Sequence, residues 1–81
     1  MKVNLHLFAV LRERAGISEL SLDLPDGATV QTARTAMIAA CPALADLAPR
    51  VAFAINRSYA PLSAILRDGD ELAAIPPVSG G

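Results

Sequence analysis

The chain has one segment in which apolar residues recur at helical spacing over several turns, and this segment lies between others that alternate apolar and polar residues. Val30, Ala33 and Met37 are spaced by three and four residues, as on one face of an amphipathic helix. Thr29 can cap this helix through its hydroxyl group. Pro42 must break it, because proline lacks an N–H and clashes with the preceding turn. A fold with one main helix packed on a sheet is therefore expected.

Five other segments carry the pattern of β-strands. The predicted strands are, in chain order, residues 3–8, 20–24, 51–55, 59–62 and 71–75, with Pro61 at the limit of the fourth. A shorter helix over residues 9–15 ends at Gly16, which suits a left-handed C-terminal cap. Because a crossover of about 25 residues carries the main helix between the second and third strands, we expect a mixed sheet with the helix on one face. This order predicts an α+β roll of the ubiquitin-like β-grasp type.

The size and composition of the chain favour a small domain that meets a partner. Its 81 residues fit one domain. Apolar residues make up 53% of the sequence, more than so small a domain can hide, so some apolar surface is expected to face a partner. The net charge of -1 gives no electrostatic basis for binding nucleic acid or an anionic membrane. The sequence has no pattern for export or membrane insertion, and the cytoplasm is the expected compartment.

The remaining reactive residues favour structural roles. Cys41 is the only cysteine, so no internal disulfide or cysteine zinc site can form, and we expect it to pack as a small apolar residue. His6 is the only histidine and is predicted to lie on a solvated strand face, with no orienting partner visible in the sequence. Asp68, Asp70 and Glu71 are spaced unlike a calcium loop and are interpreted as turn formers. No metal site and no bound cofactor are expected.

The last six residues are predicted to form a tail that follows a domain of residues 1–75. This tail, residues 76–81, starts with a diproline that cannot continue the interior of a sheet, and it ends with Gly80 and Gly81. Glycine has no Cβ and can thread a narrow channel, and six extended residues reach about 20 Å. A frayed end without a function is the alternative interpretation.

A carboxylate at Gly81 would need activation before it could react, typically by transfer of an adenylyl group from ATP. Attack by sulfur on the activated group yields a thiocarboxylate, which is ionised at neutral pH and nucleophilic through its sulfur, in line with thiolates. Attack by a lysine amine instead yields an isopeptide-linked tag. The tail alone therefore fits a sulfur carrier or a protein modifier.

Four segments resemble the small subunit of molybdopterin synthase, and together they cover essentially the whole chain in the same order. They are Phe8-Ala9-Val10-Leu11-Arg12-Glu13, Val51-Ala52-Phe53-Ala54-Ile55-Asn56, Leu66-Arg67-Asp68-Gly69-Asp70-Glu71-Leu72 and Pro76-Pro77-Val78-Ser79-Gly80-Gly81. The most specific combination is the first segment with the last one. One departure lies just before the diproline, where this family often has aromatic residues and this chain has Ala74 and Ile75.

The resemblance implies a sulfur carrier in molybdenum cofactor biosynthesis. An E1-like activating enzyme would use ATP to adenylylate Gly81, and sulfur would then be installed there as a thiocarboxylate. The loaded tail would enter the large synthase subunit, which holds the catalytic groups, and would donate sulfur to cyclic pyranopterin monophosphate. The tail residues that would enter the partner are Pro76, Pro77, Val78, Ser79 and Gly80. The family further implies a heterotetramer of two small and two large subunits, and a partner surface that includes Phe8 and Arg12.

Several alternatives remain open. Phe8 could be a core residue and Arg12 a solvated helix residue. A β-grasp carrier for thiamine or cysteine synthesis would share the activation chemistry, although such carriers resemble this sequence less in the first and last segments. A ubiquitin-like modifier conjugated to lysines is a further alternative. So is an interaction module in which the tail has no role.

Overall fold

The computed structural model describes residues 1–77 and shows a five-stranded sheet with one main helix packed on one face. The elements are β1 (Lys2–Leu7), α1 (Ala9–Ala15), β2 (Glu19–Asp23), α2 (Val30–Ala40), β3 (Ala52–Ile55), β4 (Ser58–Ala60) and β5 (Glu71–Ile75). The strand order across the sheet is β2-β1-β5-β3-β4, with β1 and β5 parallel and the other neighbouring pairs antiparallel. The predicted α+β architecture, with a mixed sheet and one main helix, is confirmed.

Specific residues determine where the helices begin and end. Thr29 caps α2 because its hydroxyl accepts a hydrogen bond from the backbone N–H of Thr32, and the hydroxyl of Thr32 accepts one from the backbone N–H of Thr29. Pro42 begins a short 3₁₀ turn directly after α2. Gly16 ends α1 with a φ of 75°, a left-handed conformation that favours glycine. The helix boundaries therefore agree with the sequence signals.

Strand boundaries shift by one or two residues from the prediction. β1 ends at Leu7, because Phe8 takes the extended N-cap position of α1 with a φ of -117°. β4 covers Ser58–Ala60 rather than residues 59–62, and Pro61, which has no N–H to donate to a strand, follows directly. The side chain of Phe8 is 47% exposed, so the alternative that places it in the core is wrong.

The core lies between α2 and the inner face of the sheet. Alternate residues of the three central strands point into it, including Leu5, Phe53 and Leu72. Met37 of α2 is fully buried among them. Cys41 is half-buried and packs against this core, as expected. Because α2 covers the inner face, the outer face of the sheet is left as an open surface.

The position of β5 determines where the predicted tail leaves the domain. β5 lies between β1 and β3 in the middle of the sheet, and its Ala74 pairs with Leu7 of β1. Because β1 and β5 are parallel, both strands end at the same edge of the sheet. Residues 78–81 lie outside the described residues. The division into a domain of residues 1–75 and a tail of residues 76–81 therefore stays a prediction.

The helices are short. None of those within residues 1–77 combines the length and apolar character needed to cross a membrane. α2, the longest, has 11 residues, and a span requires about 20.

Within residues 1–77, no three His, Cys, Asp or Glu side chains are grouped so that they could hold a metal ion.

Candidate functional site

An open groove lies on the outer face of the sheet, where the predicted tail leaves β5. Its volume is about 630 Å³. We call it the tail groove, and its lining residues are Phe8, Ala9, Ala54, Arg57, Tyr59, Ala73, Ile75, Pro76 and Pro77. Apart from the Arg57 guanidinium and the Tyr59 hydroxyl, the side chains of this lining are apolar. The tail groove therefore fits apolar groups of a partner.

The register of the sheet explains the shape of the tail groove. Ala54 of β3 lies opposite Ala73 of β5 on one side and opposite Tyr59 of β4 on the other. The small side chains of the two alanines leave a depression between larger neighbours. Tyr59 is 75% exposed, and it lines the groove together with the half-exposed Phe8. These two aromatic side chains provide exposed apolar surface of the kind that the composition predicts.

The two residues that were predicted to form the partner surface lie about one helical turn apart, with Phe8 at the N-cap of α1 and Arg12 within the helix. Phe8 follows β1 beside the end of β5 and lines the tail groove. Arg12 is exposed on α1 and is not among the residues that line the groove. Leu11 is fully buried and anchors α1 to the core. Phe8 is thus placed at the base of the tail, and a role for either residue in partner binding stays a prediction.

Arg57 is a residue of the groove that the sequence patterns did not identify. It follows Asn56 in the two-residue turn between β3 and β4, and the two residues have positive φ values of 74° and 48° respectively. Such turns match the twist of hairpin strands, and glycine usually occupies the second position. Asn56 donates a hydrogen bond from its side-chain amide to the Asp70 carboxylate at 3.1 Å. The asparagine is a sequence signal for the turn, but only the fold shows that Arg57 lines the same groove as Pro76 and Pro77.

A cluster of polar side chains lies next to the tail groove on the same face. We call it the polar patch, and it consists of Asn4, His6, Glu19 and Glu71. His6 Nε2 lies 2.5 Å from Glu71 Oε2. The side-chain amide of Asn4 donates to Glu19 at 2.8 Å and to Glu71 at 3.0 Å. The hydrogen bond with His6, followed by that from Asn4, lowers the pKa of Glu71 below its usual value.

The polar patch corrects one expectation from the sequence and extends another. Glu71 is not a turn former but the first residue of β5, in agreement with the strand predicted over residues 71–75. His6 does lie on the outer strand face as predicted, but it has a partner that the sequence did not reveal, the Glu71 carboxylate. The parallel pairing of β1 with β5 brings the two side chains together across a separation of 65 residues in the chain. This pair binds two central strands to each other on their outer side.

The tail groove and the polar patch adjoin each other. A second depression, of about 440 Å³, is lined by His6, Phe8, Arg57, Glu71 and Ala73. Phe8, Arg57 and Ala73 also line the tail groove. The outer face therefore carries an apolar half and a polar half in one continuous surface, with Arg57 at their boundary.

Asp68 and Asp70 form the turn before β5, as predicted. The Asp68 carboxylate accepts a hydrogen bond from the backbone N–H of Lys2 at 2.7 Å, and the Asp70 carboxylate accepts one from the backbone N–H of Arg67 at 2.8 Å. Both carboxylates thus bind backbone groups at the edge of the sheet where β1 and β5 begin. They position the start of β5 at the edge remote from the tail.

Two of the six predicted tail residues lie within the described part of the chain. Pro76 is half-buried and Pro77 is exposed, and both line the tail groove. The other four, Val78, Ser79, Gly80 and Gly81, lie outside the described residues. The structure thus defines the surface at the base of the tail, and the predicted chemistry at the last glycine stays a prediction.

Comparison with known proteins gives this site a family context. The sequence model of the ThiS family matches residues 5–81. The molybdopterin synthase sulfur carrier subunit of Chlamydomonas reinhardtii is 41% identical over 83 residues, which cover 100% of both chains. Among solved structures, the crystal structure of SAMP1, the small archaeal modifier protein 1 of Haloferax volcanii, matches with a TM-score of 0.90 at 35% identity and covers 100% of both chains.

A more distant structure shares the fold. It is the complex of subunits 1 and 2 of the molybdopterin-converting factor from Helicobacter pylori, matched with a TM-score of 0.71 at 22% identity over 100% of both chains. The similarity to SAMP1 confirms the predicted ubiquitin-like β-grasp fold. The Chlamydomonas relative confirms the resemblance to molybdopterin synthase small subunits. With a family match that extends from β1 to the last residue, the chain belongs to the ThiS family.

Proposed function

We propose that this protein is the sulfur carrier subunit of a molybdopterin synthase, with the carboxylate of Gly81 as the group that bears the sulfur. The observation that carries the proposal is the tail groove, an exposed apolar surface at the base of a tail that contains two terminal glycines. The relative that bears the name of this subunit matches the chain along its whole length. A carrier needs a docking surface next to a slender reactive end, and the groove is next to the base of that end.

The proposed activation proceeds in two steps. The Gly81 carboxylate attacks the α-phosphate of ATP bound to an E1-like activating enzyme, and pyrophosphate leaves. A sulfide-level nucleophile, HS⁻, then attacks the carbonyl carbon, the bond to the AMP oxygen breaks, AMP leaves with the electron pair, and the sulfur loses its proton. The resulting thiocarboxylate is anionic at neutral pH and nucleophilic through its sulfur. In the large synthase subunit it donates this sulfur to cyclic pyranopterin monophosphate.

The catalytic groups are assigned to the partners. General acid–base catalysis requires titratable groups positioned at the reacting atoms. The only histidine of this chain, His6, is paired with Glu71 on the polar patch. Among the described residues that line the tail groove, Arg57 and Tyr59 are the ones with polar side chains. Gly81 therefore acts as a tethered substrate of the partner enzymes.

The tail groove serves both partners in turn. Each partner must reach Gly81, so each must cover the surface at the base of the tail. A typical interface buries about 800 Å² per partner, roughly a sixth of the 4786 Å² surface of this protein. Two partners that both enclose the same tail exclude each other. The carrier therefore alternates between the activating enzyme and the large subunit.

The test is the intact mass of the protein after incubation with ATP, an E1-like activating enzyme and a sulfur source. We expect a gain equal to the replacement of one oxygen by sulfur, localised to Gly81. Removal of Gly81 should abolish this gain and leave the thermal unfolding transition unchanged, because the tail follows the last strand. The proposal fails if the shortened chain still gains sulfur. It also fails if the full chain gains none while the same enzyme loads another carrier.

The acceptor distinguishes this pathway from those of other β-grasp carriers. The loaded protein should form a stable complex with a large synthase subunit and convert cyclic pyranopterin monophosphate. A stable complex with a thiazole synthase instead would assign the carrier to thiamine synthesis. Delivery of sulfur to an enzyme of cysteine synthesis would assign it there.

A ubiquitin-like modifier is the second candidate function, and the similarity to SAMP1 favours it. In that case the activated Gly81 carbonyl is transferred to lysine amines of other proteins. Adducts of higher mass in cell extracts, lost when Gly81 is removed, would support the modifier. Their absence under conditions that load sulfur would support the carrier.

A further inference from the structure

The tail groove extends along the outer face of the sheet from one end of β5 to the other. Arg57 lines it at the end where β5 begins, because the backbone N–H of its neighbour Asn56 donates a hydrogen bond to the Glu71 carbonyl at 2.8 Å. Pro76 lines it where β5 ends, about 17 Å farther along the strand. The groove is therefore long enough to receive an extended segment of a partner, with a cation at one end.

The Arg57 guanidinium keeps its hydrogen-bond donors free within the described part of the chain. It forms no ion pair there. The carboxylates at this end of β5 already have other partners. Glu71 is bonded to His6, and Asp70 accepts a hydrogen bond from the side-chain amide of Asn56. A guanidinium has five N–H donors in a planar arrangement and stays charged at physiological pH. Arg57 can therefore bind an acceptor from outside the chain.

A partner that covers the outer face would remove this guanidinium from water. Arg57 lines both the tail groove and the adjoining depression that His6 and Glu71 line, so a partner that covers the face also covers the arginine. Burying a charge is costly unless the charge is paired and hydrogen-bonded. A carboxylate is the acceptor that fits best, because its two oxygens accept two parallel N–H bonds from a guanidinium.

We propose that Arg57 binds a carboxylate of the partner, and that the tail groove accepts an extended partner segment with an apolar side chain next to that acidic one. The partner is the large synthase subunit, and in this respect the inference rests on the proposed function. The apolar side chain lies over Ala54 and Ala73, which face each other two residues along the strands from Asn56 and Glu71. This separation is about 7 Å, the spacing of side chains i and i+2 on one face of an extended segment.

Titration calorimetry of the full-length protein with the large synthase subunit measures this contact. Arg57→Met removes the charge and keeps an apolar stem, whereas Arg57→Lys keeps the charge and loses the planar fork. Arg67→Met is the matched control, since Arg67 is an exposed arginine in the turn before β5 and does not line the groove. The dissociation constant should rise about tenfold for Arg57→Met and about threefold for Arg57→Lys. It should not change for Arg67→Met. Thermal unfolding checks that each variant is folded.

Salt and a small probe separate an ion pair from a merely structural role of the arginine. The affinity of the wild type for the large subunit should fall more steeply with salt than that of Arg57→Met, because salt screens charges. The probe is 4-phenylbutyrate, an aromatic ring joined to a carboxylate by a short alkyl chain, and its neutral amide is the control. In NMR titrations the acid should shift the amide signals of Ala54 and Ala73 and bind the wild type about fivefold more tightly than the amide. Arg57→Met should bind both probes equally.

Two results would overturn the inference. One is equal affinity of the wild type and Arg57→Met for the large subunit, with the same dependence on salt. The other is equal binding of the acid and the amide to the wild type. Failure of the wild type to bind the large subunit at all would instead contradict the proposed function. The two probes would then decide by themselves whether the groove takes a carboxylate, because they need no partner protein.

Discussion

The tail groove and the polar patch share strand β5, yet their side chains meet their surroundings in different ways. Glu71 of the patch is engaged by His6 and Asn4 within the chain. In the groove, Tyr59 and Phe8 keep much of their apolar surface exposed. Covering exposed apolar area is favourable, whereas exchanging one set of hydrogen bonds for another gains little. The comparison indicates that the affinity for partners is concentrated in the tail groove, and that the polar patch mainly holds the strands together.

The largest expected effect, on the free energy of unfolding, comes from Leu72, which lies beneath the tail groove and the polar patch on the inner side of β5. Leu72 is fully buried on the inner side of β5, so Leu72→Ala should lower the free energy of unfolding by about 2–5 kcal/mol. Ile17→Ala, at a side chain that is 41% exposed, should lower it by less than about 0.5 kcal/mol. Urea denaturation followed by circular dichroism measures both. A small change in the free energy of unfolding of Leu72→Ala would show that the tail groove and the polar patch do not depend on one shared core.

A smaller effect, on binding alone, should follow from truncation in the tail groove. Tyr59→Ala removes an aromatic wall of the groove and should weaken binding to the large synthase subunit about tenfold, which corresponds to ~1.4 kcal/mol. Ile65 is the matched control, with 67% exposure against 75% for Tyr59 and a position outside the groove. Isothermal titration calorimetry should show no change for Ile65→Ala. Equal losses in both variants would remove the assignment of binding to the groove.

Substitution of Arg57, at the boundary between the tail groove and the polar patch, should raise the stability of the fold and weaken binding to the large subunit. Arg57 has a φ of 74°, and a non-glycine residue in this region costs about 1–2 kcal/mol, whereas glycine loses about 0.5–1 kcal/mol of chain entropy. Arg57→Gly should therefore raise the free energy of unfolding by about 0.5–1 kcal/mol. The same variant should bind the large subunit more weakly. If Arg57→Gly is less stable than the wild type and binds the large subunit equally well, Arg57 stabilises the fold and does not contribute to binding.

The smallest effect concerns the polar patch and appears only in acid. Folding lowers the pKa of Glu71 from its usual 4.5, first through His6 and then through Asn4. The contribution of this pairing is therefore complete above that value and is lost as the pH falls through the lowered pKa of the folded state. The stability of the wild type should decline more steeply below about pH 4.5 than that of Glu71→Gln. Glu13→Gln, on exposed α1, serves as the control.

Denaturation curves at several pH values measure this difference. Parallel curves for the wild type and Glu71→Gln would show that the patch adds nothing to the stability of the strands. A fall in partner affinity of Glu71→Gln as large as that of Tyr59→Ala would contradict the assignment of binding to the apolar half.

Signals that act over a few residues predicted the architecture. The hydroxyl of Thr29 and the ring of Pro42 act on the turn next to them, so the limits of α2 could be read directly. Strand alternation likewise depends only on neighbours in the chain. The diproline and the two glycines predicted the tail, and the family resemblance placed Phe8 on a partner surface. Most of the fold could therefore be predicted from the sequence.

The outer face could be predicted only in part, because it depends on which strands become neighbours. Glu71 follows a turn in the sequence, and nothing near it indicates that His6 would lie against it once β1 and β5 pair. Arg57 belongs to a hairpin turn, and its place in the groove that Pro76 also lines results from the order of β4, β3 and β5 in the sheet. Arg12, which the resemblance names, is exposed on α1 one helical turn after Phe8, and its role in partner binding stays a prediction.

The central place of β5 also has a mechanical consequence. β5 has β1 on one side and β3 on the other, whereas β4 is at an edge with β3 as its only neighbour in the described sheet. A pull on the tail acts along β5, and the hydrogen bonds to both neighbours cross the direction of the force. All of these bonds bear the load together in shear, whereas an edge strand pulled from its end could be peeled away one bond at a time. Under the proposed function, this arrangement would let the fold resist the force when the tail is withdrawn from one partner and inserted into the next.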